Sequence, residues 1–371
     1  KVAVPMIDIQ TLGAGGGSIA RVDPGGILHV GPQSAGADPG PVCYAKGGTE
    51  PTVTDANLVL GYINPEGLVG GGLPLDQEKA KTALAKQIAE PLGLGLVTAA
   101  YGIHLLGNST MIRAVRAVST ERGRDLRDSV LIAFGGSGPV HACQMARSLE
   151  MRQAVIPPHS GLFSAFGLLS ADIAHHRIQT CYQNSRKANL KELNHLMKRM
   201  ETEVMELLQK EDFSLEEIEM YRAIDLRYSG QSYELTLPVS KGPISTDTIH
   251  KLEKAFDKEH EKTYGHRASV DASYTLVNLR LVGRVMQHTI SLASSSLNEI
   301  SSKKNCSRDA YFGPKYGWIV TPLLTRSDLL GNSKKGPFLI DEFDTTIVIQ
   351  PDCQVTVDDS GNLIIDLSKK T

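Results

Sequence analysis

The chain has 371 residues, of which 41% are hydrophobic, and a formal net charge of −2, as expected of a globular protein large enough for two hydrophobic cores. This charge balance excludes the basic excess of a nucleic-acid-binding protein, and no apolar run reaches the roughly 18 residues that a membrane-spanning helix needs. The five cysteines are odd in number, widely spaced and without a CxxC pair, which favours free thiols in a reducing cytoplasm over a structural zinc site.

The first predicted element is a short strand at residues 5–9, which carries Asp8 and leads into a glycine-rich turn. The turn contains Gly15, Gly16, Gly17 and Ser18. Glycines let the backbone adopt positive φ and point successive N–H groups at an anion, and a carboxylate at a strand end is suited to hold Mg²⁺ or orient a water. The pattern predicts a phosphate site, although glycine-rich strand ends also form plain tight turns.

The following elements alternate between strands and helices. A return strand is predicted at 26–30, a helix at 76–89 and a longer helix with an apolar stripe at 97–122. A strand at 131–134 then opens into a second glycine-rich turn before a further helix. This turn consists of Gly135, Gly136, Ser137 and Gly138. Two such turns in one chain indicate two sides of a nucleotide pocket, and the alternation over residues 1–175 is typical of an α/β domain.

The pattern changes after residue 175. Apolar residues recur at helical spacing over 189–210 and 246–264, and strand patterns occupy 219–239 and 274–285. The order helix, strand, helix, strand predicts a small α+β domain over residues 176–290, in which the Met and Leu stripe of the first helix forms a packed core face.

The last part of the chain has two predicted regions. Residues 291–335 begin with a segment rich in Ser, Asn and Lys and are predicted to be a linker or loop region. Apolar strand runs and a hairpin turn at 358–362 predict a β-rich C-terminal unit over residues 336–371. We expect this unit to be structural or to contact another subunit, without catalytic groups.

Three further side chains are of reactive types. His141 and Cys143 lie at the start of the helix after the second turn, where His141 is either a ligand or acid–base group or, as we favour, a hydrogen-bonded structural residue. Cys43 has no base nearby in the sequence, so a small buried apolar role is favoured over a nucleophile. The chain has no GxSxG, Ser-His-Asp or HExxH signature, which disfavours a self-contained serine or zinc hydrolase.

Several long sequence blocks, taken in order, resemble one family. They are GPQSAGADPGPVCYAKGG at 31–48, PTVTDANLVLGYI at 51–63, GGSGPVHACQMARSLEM at 135–151, SGLFSAFGLLSAD at 160–172, DLRYSGQSYEL at 225–235 and YGHR at 264–267. Together they are similar to the hydantoinase A/5-oxoprolinase family, which also includes subunits of ATP-dependent acetone and acetophenone carboxylases.

The resemblance implies an α/β fold in which residues 1–175 form one lobe of a sugar kinase-, Hsp70- and actin-like (ribonuclease H-like) nucleotide-binding fold. The family's N-terminal lobe, with its own Asp-and-Gly phosphate loop and a His-Gly-Thr segment, is not found in the sequence, which begins with Lys1 rather than Met. We therefore expect the chain to be the C-terminal portion of a longer protein and to hydrolyse ATP negligibly by itself.

The resemblance also implies an activity. It is the ATP-dependent opening of a small cyclic amide such as a hydantoin, N-methylhydantoin or 5-oxoproline, together with a hydantoinase B-type subunit. Phosphorylation of the carbonyl oxygen turns a poor electrophile into one with a good leaving group, so the protein mainly positions the reactants and stabilises charge. Alternatives are an ATP-dependent ketone carboxylase subunit, whose motifs are the same, and a non-catalytic nucleotide-binding scaffold.

By the same resemblance, residues 15–18 supply N–H donors to phosphate, Asp8 the catalytic and metal-holding carboxylate, and residues 135–138 the approach to adenosine. Asp38 and Asp55 lie in the best-matching blocks and are further candidates for catalytic, metal or water contacts. For Asp55 the alternative is substantial, since Thr54 or Asp55 before Ala56 is also suited to cap a helix N-terminus.

Overall fold

The computed structural model describes residues 9–120, 123–268, 272–286 and 306–368. The protein has a mixed α/β fold with several sheets, divided into two compact units. Within the described residues, the larger unit contains 10–120, 123–166 and 306–368, and the smaller unit contains residue 9, 167–268 and 272–286. The predicted strand at 5–9, with Asp8, lies almost entirely outside the described residues.

The chain up to residue 169 alternates strands and helices, as predicted. In order these are β1 (Ser18–Val22), β2 (Leu28–Ser34), α1 (Val53–Val59), α2 (Gln77–Leu84), α3 (Glu90–Leu92), α4 (Leu96–Val118), β3 (Val130–Ile132), α5 (Gly138–Ser148), β4 (Gln153–Ile156) and α6 (Phe163–Leu169). The predicted helix at 76–89 is capped by the Asp76 side chain, which accepts from the Lys79 N–H, and its last turn widens to a π-type turn at Ala85–Ala89. Strand β4, Gln153–Ile156, was not predicted from the sequence.

The smaller unit is an antiparallel sheet with two helices. Its elements are β5 (Ile173–Asn184), α7 (Leu190–Lys210), β6 (Ile218–Tyr228), β7 (Leu235–Val239), α8 (Thr246–Tyr264) and β8 (Tyr274–Val285). The strands lie in the order β5-β8-β6-β7, and the Met and Leu stripe of α7 packs with Phe256 of α8 and Leu279 of β8 in one core. The helices predicted at 189–210 and 246–264 and the strand predicted at 274–285 are confirmed.

The last part of the chain returns to the larger unit. Its strands are β9 (Ser307–Tyr311), β10 (Trp318–Pro322), β11 (Lys334–Lys335), β12 (Phe338–Asp341), β13 (Thr346–Ile349), β14 (Gln354–Val357) and β15 (Leu363–Asp366). A linker or loop region was predicted over residues 291–335, of which 291–305 lie outside the described residues. Residues 306–335 are not a simple linker, because β9 and β10 pair with each other and Ala310 and Phe312 are buried in the core around α1 and α4.

The expectation of a separate C-terminal unit over residues 336–371 is wrong. Strands β11, β14, β15, β4 and β3 form one five-stranded sheet in that order, with Leu363 of β15 opposite Ile156 of β4. The apolar strand runs and the hairpin turn were recognised correctly, but a local pattern does not identify the partner strand. The partner is chosen by the apolar face that α5 presents to this sheet, including Ala142 and Cys143.

Two buried clusters position the first and second glycine turns. One packs α1 against α4 through residues such as Leu58 and Ile103, and the other packs α5 on the five-stranded sheet. No single helix in the described ranges is long and apolar enough to cross a membrane. The helices Gln77–Leu92 and Leu96–Val118, which meet at a bend of 89°, reach the required length and apolar composition only when they are counted together.

Candidate functional site

The structure brings the two glycine-rich turns together. A Cβ atom built on Gly16 would lie 2.7 Å from Thr54 Oγ1, at the start of α1, and 3.5 Å from Ser137 Oγ, at the start of α5. The Ser137 hydroxyl makes no capping hydrogen bond to its own helix. Residues far apart in the sequence thus form two facing walls within the larger unit.

The first turn is held by its carbonyl groups. The Gly16 carbonyl accepts from the Thr54 N–H at 2.8 Å and from Thr54 Oγ1 at 2.9 Å, and the Gly17 carbonyl accepts from the Ala35 N–H at 2.9 Å. The Gly15 N–H donates to Ser18 Oγ at 2.9 Å. The N–H groups of Gly16 and Gly17 have no hydrogen-bond partner among the described residues, so they are available to an anion.

The need for glycine in the first turn has a different cause from the one expected. The φ angles of Gly15, Gly16 and Gly17 lie outside the left-handed region. A Cβ on Gly17 would lie 2.9 Å from Ser34 Oγ, and a Cβ on Gly16 would lie 2.7 Å from Thr54 Oγ1. Close approach of neighbouring segments, rather than positive φ, therefore excludes larger side chains at these two positions.

The second turn is held at its first residue. Gly135 has a φ of +87°, and its N–H donates to the Ser160 carbonyl at 2.7 Å. Among the described residues, no group accepts from the N–H groups of Gly136, Ser137 or Gly138. These amides lie at the N-terminus of α5, an eleven-residue helix whose dipole adds partial positive charge, which suits phosphate oxygens.

Asp55 occupies a closed position. Its carboxylate has no exposed surface and accepts from the N–H groups of Val42 at 3.2 Å, Cys43 at 2.7 Å and Thr52 at 2.8 Å, and from Thr52 Oγ1 at 2.8 Å. Asp55 and Thr52 form a capping box at the start of α1, so a capping role of Asp55 is confirmed, but the N-cap residue is Thr52 rather than Thr54 or Asp55. The sequence motif TVTD contained this signal.

Asp38 occupies an open position. It is exposed in the segment after β2, and Gly36 of that segment flanks the first glycine turn, with its carbonyl oxygen 3.7 Å from a Cβ built on Gly17. Asp8 lies outside the described residues. Within those residues, no group of three or more His, Cys, Asp or Glu side chains is placed to hold a metal ion. Because Asp8 is not among them, the Mg²⁺ site at Asp8 stays a prediction.

A buried polar network lies beneath the two turns. His141 Nδ1 is 2.6 Å from Asn108 Oδ1, and the His141 ring stacks on His104 with 4.8 Å between centroids. His104 Nδ1 lies 2.8 Å from Asn57 Oδ1 and Nε2 lies 2.8 Å from Gln144 Oε1. Burial lowers the pKa of His104 to about 4 and that of His141 well below its usual range, so both imidazoles are neutral at pH 7.

The structural interpretation of His141 is confirmed, because its ring is 1% exposed and joins α5 to α4 and, through His104, to α1. The sequence contained an unused signal. His104 and Asn108 are four residues apart in the helix predicted at 97–122. His141 and Gln144 are three residues apart in the helix after the second turn, so each pair lies on one helix face.

Cys43 and Cys143 are buried residues of the core. Burial, followed by the neighbouring Asp55 carboxylate, raises the pKa of the Cys43 thiol, and Cys43 packs in the core around α1. Cys143 is also buried, and its thiol donates to the Val348 carbonyl at 3.2 Å. All five cysteines are free thiols.

Two family models match the chain, Hydantoinase/oxoprolinase over residues 1–177 and Hydantoinase/oxoprolinase C-terminal domain over residues 180–368. The chain belongs to the hydantoinase/oxoprolinase family. The family predicted from the sequence blocks is thereby confirmed.

Three relatives show the range of this family. An uncharacterized protein of Methanocaldococcus jannaschii is 41% identical over 370 residues, 98% of this chain and 52% of that protein. Caprolactamase subunit alpha of Pseudomonas jessenii is 34% identical over 97% of this chain and 53% of that subunit. 5-Oxoprolinase 1 of Arabidopsis thaliana is 29% identical over 100% of this chain and 30% of that protein. The chain thus spans about half, or less, of the length of these curated relatives.

Two solved structures are similar to the chain. The crystal structure of ATP-dependent caprolactamase from Pseudomonas jessenii has a TM-score of 0.87 at 34% identity and is matched over 99% of this chain and 54% of that chain. A nucleotide-free structure of acetone carboxylase has a TM-score of 0.72 at 25% identity, over 96% of this chain and 52% of that chain.

Proposed function

We propose that this chain is a nucleotide-binding part of an ATP-dependent cyclic-amide hydrolase, and that its two glycine-rich turns bind phosphate groups of ATP. The observation that carries the proposal is the facing pair of turns, in which Gly16, Gly17, Gly136, Ser137 and Gly138 have no amide partner among the described residues. Oriented backbone amides and a helix N-terminus are a recurrent device for binding phosphate.

These groups suit the chemistry of ring opening. ATP supplies the phosphoryl group that activates the amide carbonyl, and in phosphoryl transfer the protein contributes position and charge stabilisation more than covalent steps. In this chain, the Thr54 and Ala35 contacts fix the first turn, while α5 fixes the second turn opposite to it. Asp38, exposed next to the first turn, is the described carboxylate that we propose to meet substrate or water.

The rest of the enzyme is proposed from the family. We infer that the larger unit is one lobe of an actin-like nucleotide-binding fold, that a second lobe of the family type completes the ATP site with Mg²⁺, and that a hydantoinase B-type subunit contributes to ring opening in the cytoplasm. The solved relative at TM-score 0.87 is described as ATP-dependent, and the relative in Pseudomonas is described as a subunit alpha. The first description supports the use of ATP, and the second supports an assembly of more than one subunit.

Ketone carboxylation is the second candidate, and the acetone carboxylase structure with a TM-score of 0.72 supports it. One assay separates the candidates. The full-length protein with its partner subunit is incubated with ATP and, in turn, 5-oxoproline, a hydantoin, caprolactam, or acetone or acetophenone with bicarbonate, and ATP turnover and the organic product are measured. Substrate-dependent turnover with a cyclic amide alone supports hydrolysis. Turnover only with a ketone and bicarbonate supports carboxylation, and no turnover with any of them supports the scaffold.

A further inference from the structure

The second glycine turn is contacted by a residue from the far end of the chain. Thr345 lies in the turn between β12 and β13 and is 4% exposed. Its Oγ1 is 3.1 Å from the Gly136 carbonyl oxygen and 3.3 Å from the Gly135 carbonyl oxygen. The same turn packs closely on its surroundings, because a Cβ on Gly136 would lie 3.4 Å from the Asp344 carbonyl oxygen.

These contacts determine the direction in which the neighbouring N–H groups point. In a planar trans peptide, the C=O of one residue and the N–H of the next point in opposite directions. A hydroxyl that holds the carbonyls of Gly135 and Gly136 on one side therefore turns the N–H groups of Gly136 and Ser137 to the other side. Thr345 has one proton, so it donates to one carbonyl at a time, and both acceptors lie within reach of the same rotor.

The opposite end of the turn is fixed as well, since the Gly135 N–H donates to the Ser160 carbonyl at 2.7 Å. Two glycines in sequence would otherwise permit either peptide to flip at little cost. Gly136 and Ser137 are the residues whose amides have no partner in the described part of the chain, and Ser137 faces Gly16. The direction of these two amides thus depends on the hydroxyl of Thr345.

We propose that Thr345 is a positioning residue of the nucleotide site, which holds the peptides of Gly135 and Gly136 so that the next two amides point at a phosphate group. This inference rests on the proposed function, because it assumes that the second turn meets ATP. Thr345 itself does not touch the nucleotide in this arrangement.

The test compares three variants in the full-length enzyme with its partner. Thr345→Val keeps the shape and removes the hydroxyl, and Thr345→Ser keeps the hydroxyl. Thr346→Val is the matched control, because Thr346 is 5% exposed and its Oγ1 bonds to Asp341 Oδ1 at 3.3 Å rather than to the glycine turn. KM for ATP, kcat and melting temperature are measured for each, together with ADP affinity by titration calorimetry.

We expect Thr345→Val to raise KM for ATP and the Kd for ADP by about tenfold with a smaller change in kcat, since oriented amides act on the bound nucleotide. Thr345→Ser and Thr346→Val should stay within about 1.5-fold of the parent. Should Thr345→Val fail to fold, Thr345→Cys, which retains a weaker donor, is expected to raise KM by about threefold.

The outcomes separate the two proposals. A parent enzyme that binds ADP, with Thr345→Val or its cysteine substitute unchanged in KM and Kd, overturns the role of Thr345 and leaves the proposed function standing. An equal loss in Thr346→Val also overturns it, because the effect would then be a general loss of packing. A parent that binds no nucleotide overturns both proposals.

Discussion

Among single residues, Gly16 has the least room for a side chain at the facing turns. A Cβ there would lie 2.7 Å from Thr54 Oγ1, whose hydroxyl is already bound to the Gly16 carbonyl. We expect Gly16→Val in the full-length enzyme to lower ATP-coupled turnover at least about a hundredfold, because it displaces the turn from α1 and obstructs the approach to its amide. Steady-state turnover with the substrate that the proposed assay identifies measures this.

Gly15→Val is the matched variant for stability, since a Cβ on Gly15 has no atom within 4 Å. Its melting temperature should equal that of the parent, whereas Gly16→Val should melt lower by a few degrees, at about 1–3 kcal/mol for an overpacked site. Normal turnover in Gly16→Val would show that this turn is structural only, and would remove the main support for the nucleotide site.

Asp55 provides a residue-scale test of catalysis against capping. Its carboxylate accepts four hydrogen bonds that join α1 to the segment at Val42 and Cys43. We expect Asp55→Ala to lower the free energy of unfolding by about 3 kcal/mol, because several buried donors lose their acceptor, and Asp55→Asn to lower it by less. Urea unfolding measures both values.

The opposite pattern would identify a catalytic carboxylate. That pattern is an Asp55→Asn variant with the parent's unfolding curve and no ATP-coupled turnover. Asp38→Asn is the useful comparison, since Asp38 is exposed and its replacement should leave unfolding unchanged.

At the scale of elements, helices α1, α4 and α5 are joined by the stacked pair His104 and His141. The folded-state pKa of His104, about 4, lies below the usual 6.5, so the folded protein binds fewer protons than the unfolded chain as the pH falls. The stability from this group is complete above pH 6.5 and is lost as the pH falls from 6.5 towards 4. For His104 the loss is roughly 3 kcal/mol, and His141 adds to it in the same direction.

We therefore expect the melting temperature to fall steeply between pH 6.5 and 4.5, and His141→Gln to flatten that fall by removing one titrating ring. His176→Gln, at an exposed position of the smaller unit, is the control and should keep the parent's slope. Differential scanning calorimetry across this pH range measures the slopes. Equal slopes in all three proteins would contradict the role of the buried pair.

At the scale of the whole molecule, the chain spans about half the length of caprolactamase subunit alpha. If a second lobe completes the ATP site, this polypeptide alone should fold, hydrolyse ATP negligibly and bind it with a Kd of about 1 mM, which corresponds to about 4 kcal/mol. Calorimetric titration of the chain with ATP measures this. A micromolar Kd would show that the two turns suffice without a further lobe.

Several features followed from the sequence alone because local rules determine them. The helices α7 and α8 were recognised from apolar periodicity, and the hairpin between β14 and β15 from the turn residues at 358–362, where the Asp358 carboxylate accepts from the Asn362 N–H at 2.8 Å. The family followed from long ordered blocks. The glycine turns were also found, because runs of glycine after a strand pattern mark turns.

Only the tertiary structure decided which of these pieces meet. The sequence of strand β15 fits a separate unit as well as it fits pairing with β4. Its partner depends on the apolar surface that α5 and the sheet bury together. Thr345 carries no local signal, and neither do the contacts of the Asp55 carboxylate with the N–H groups of Val42 and Cys43. Side-chain chemistry and periodicity are properties of short segments, whereas burial and hydrogen-bond partners depend on residues brought together across the whole chain.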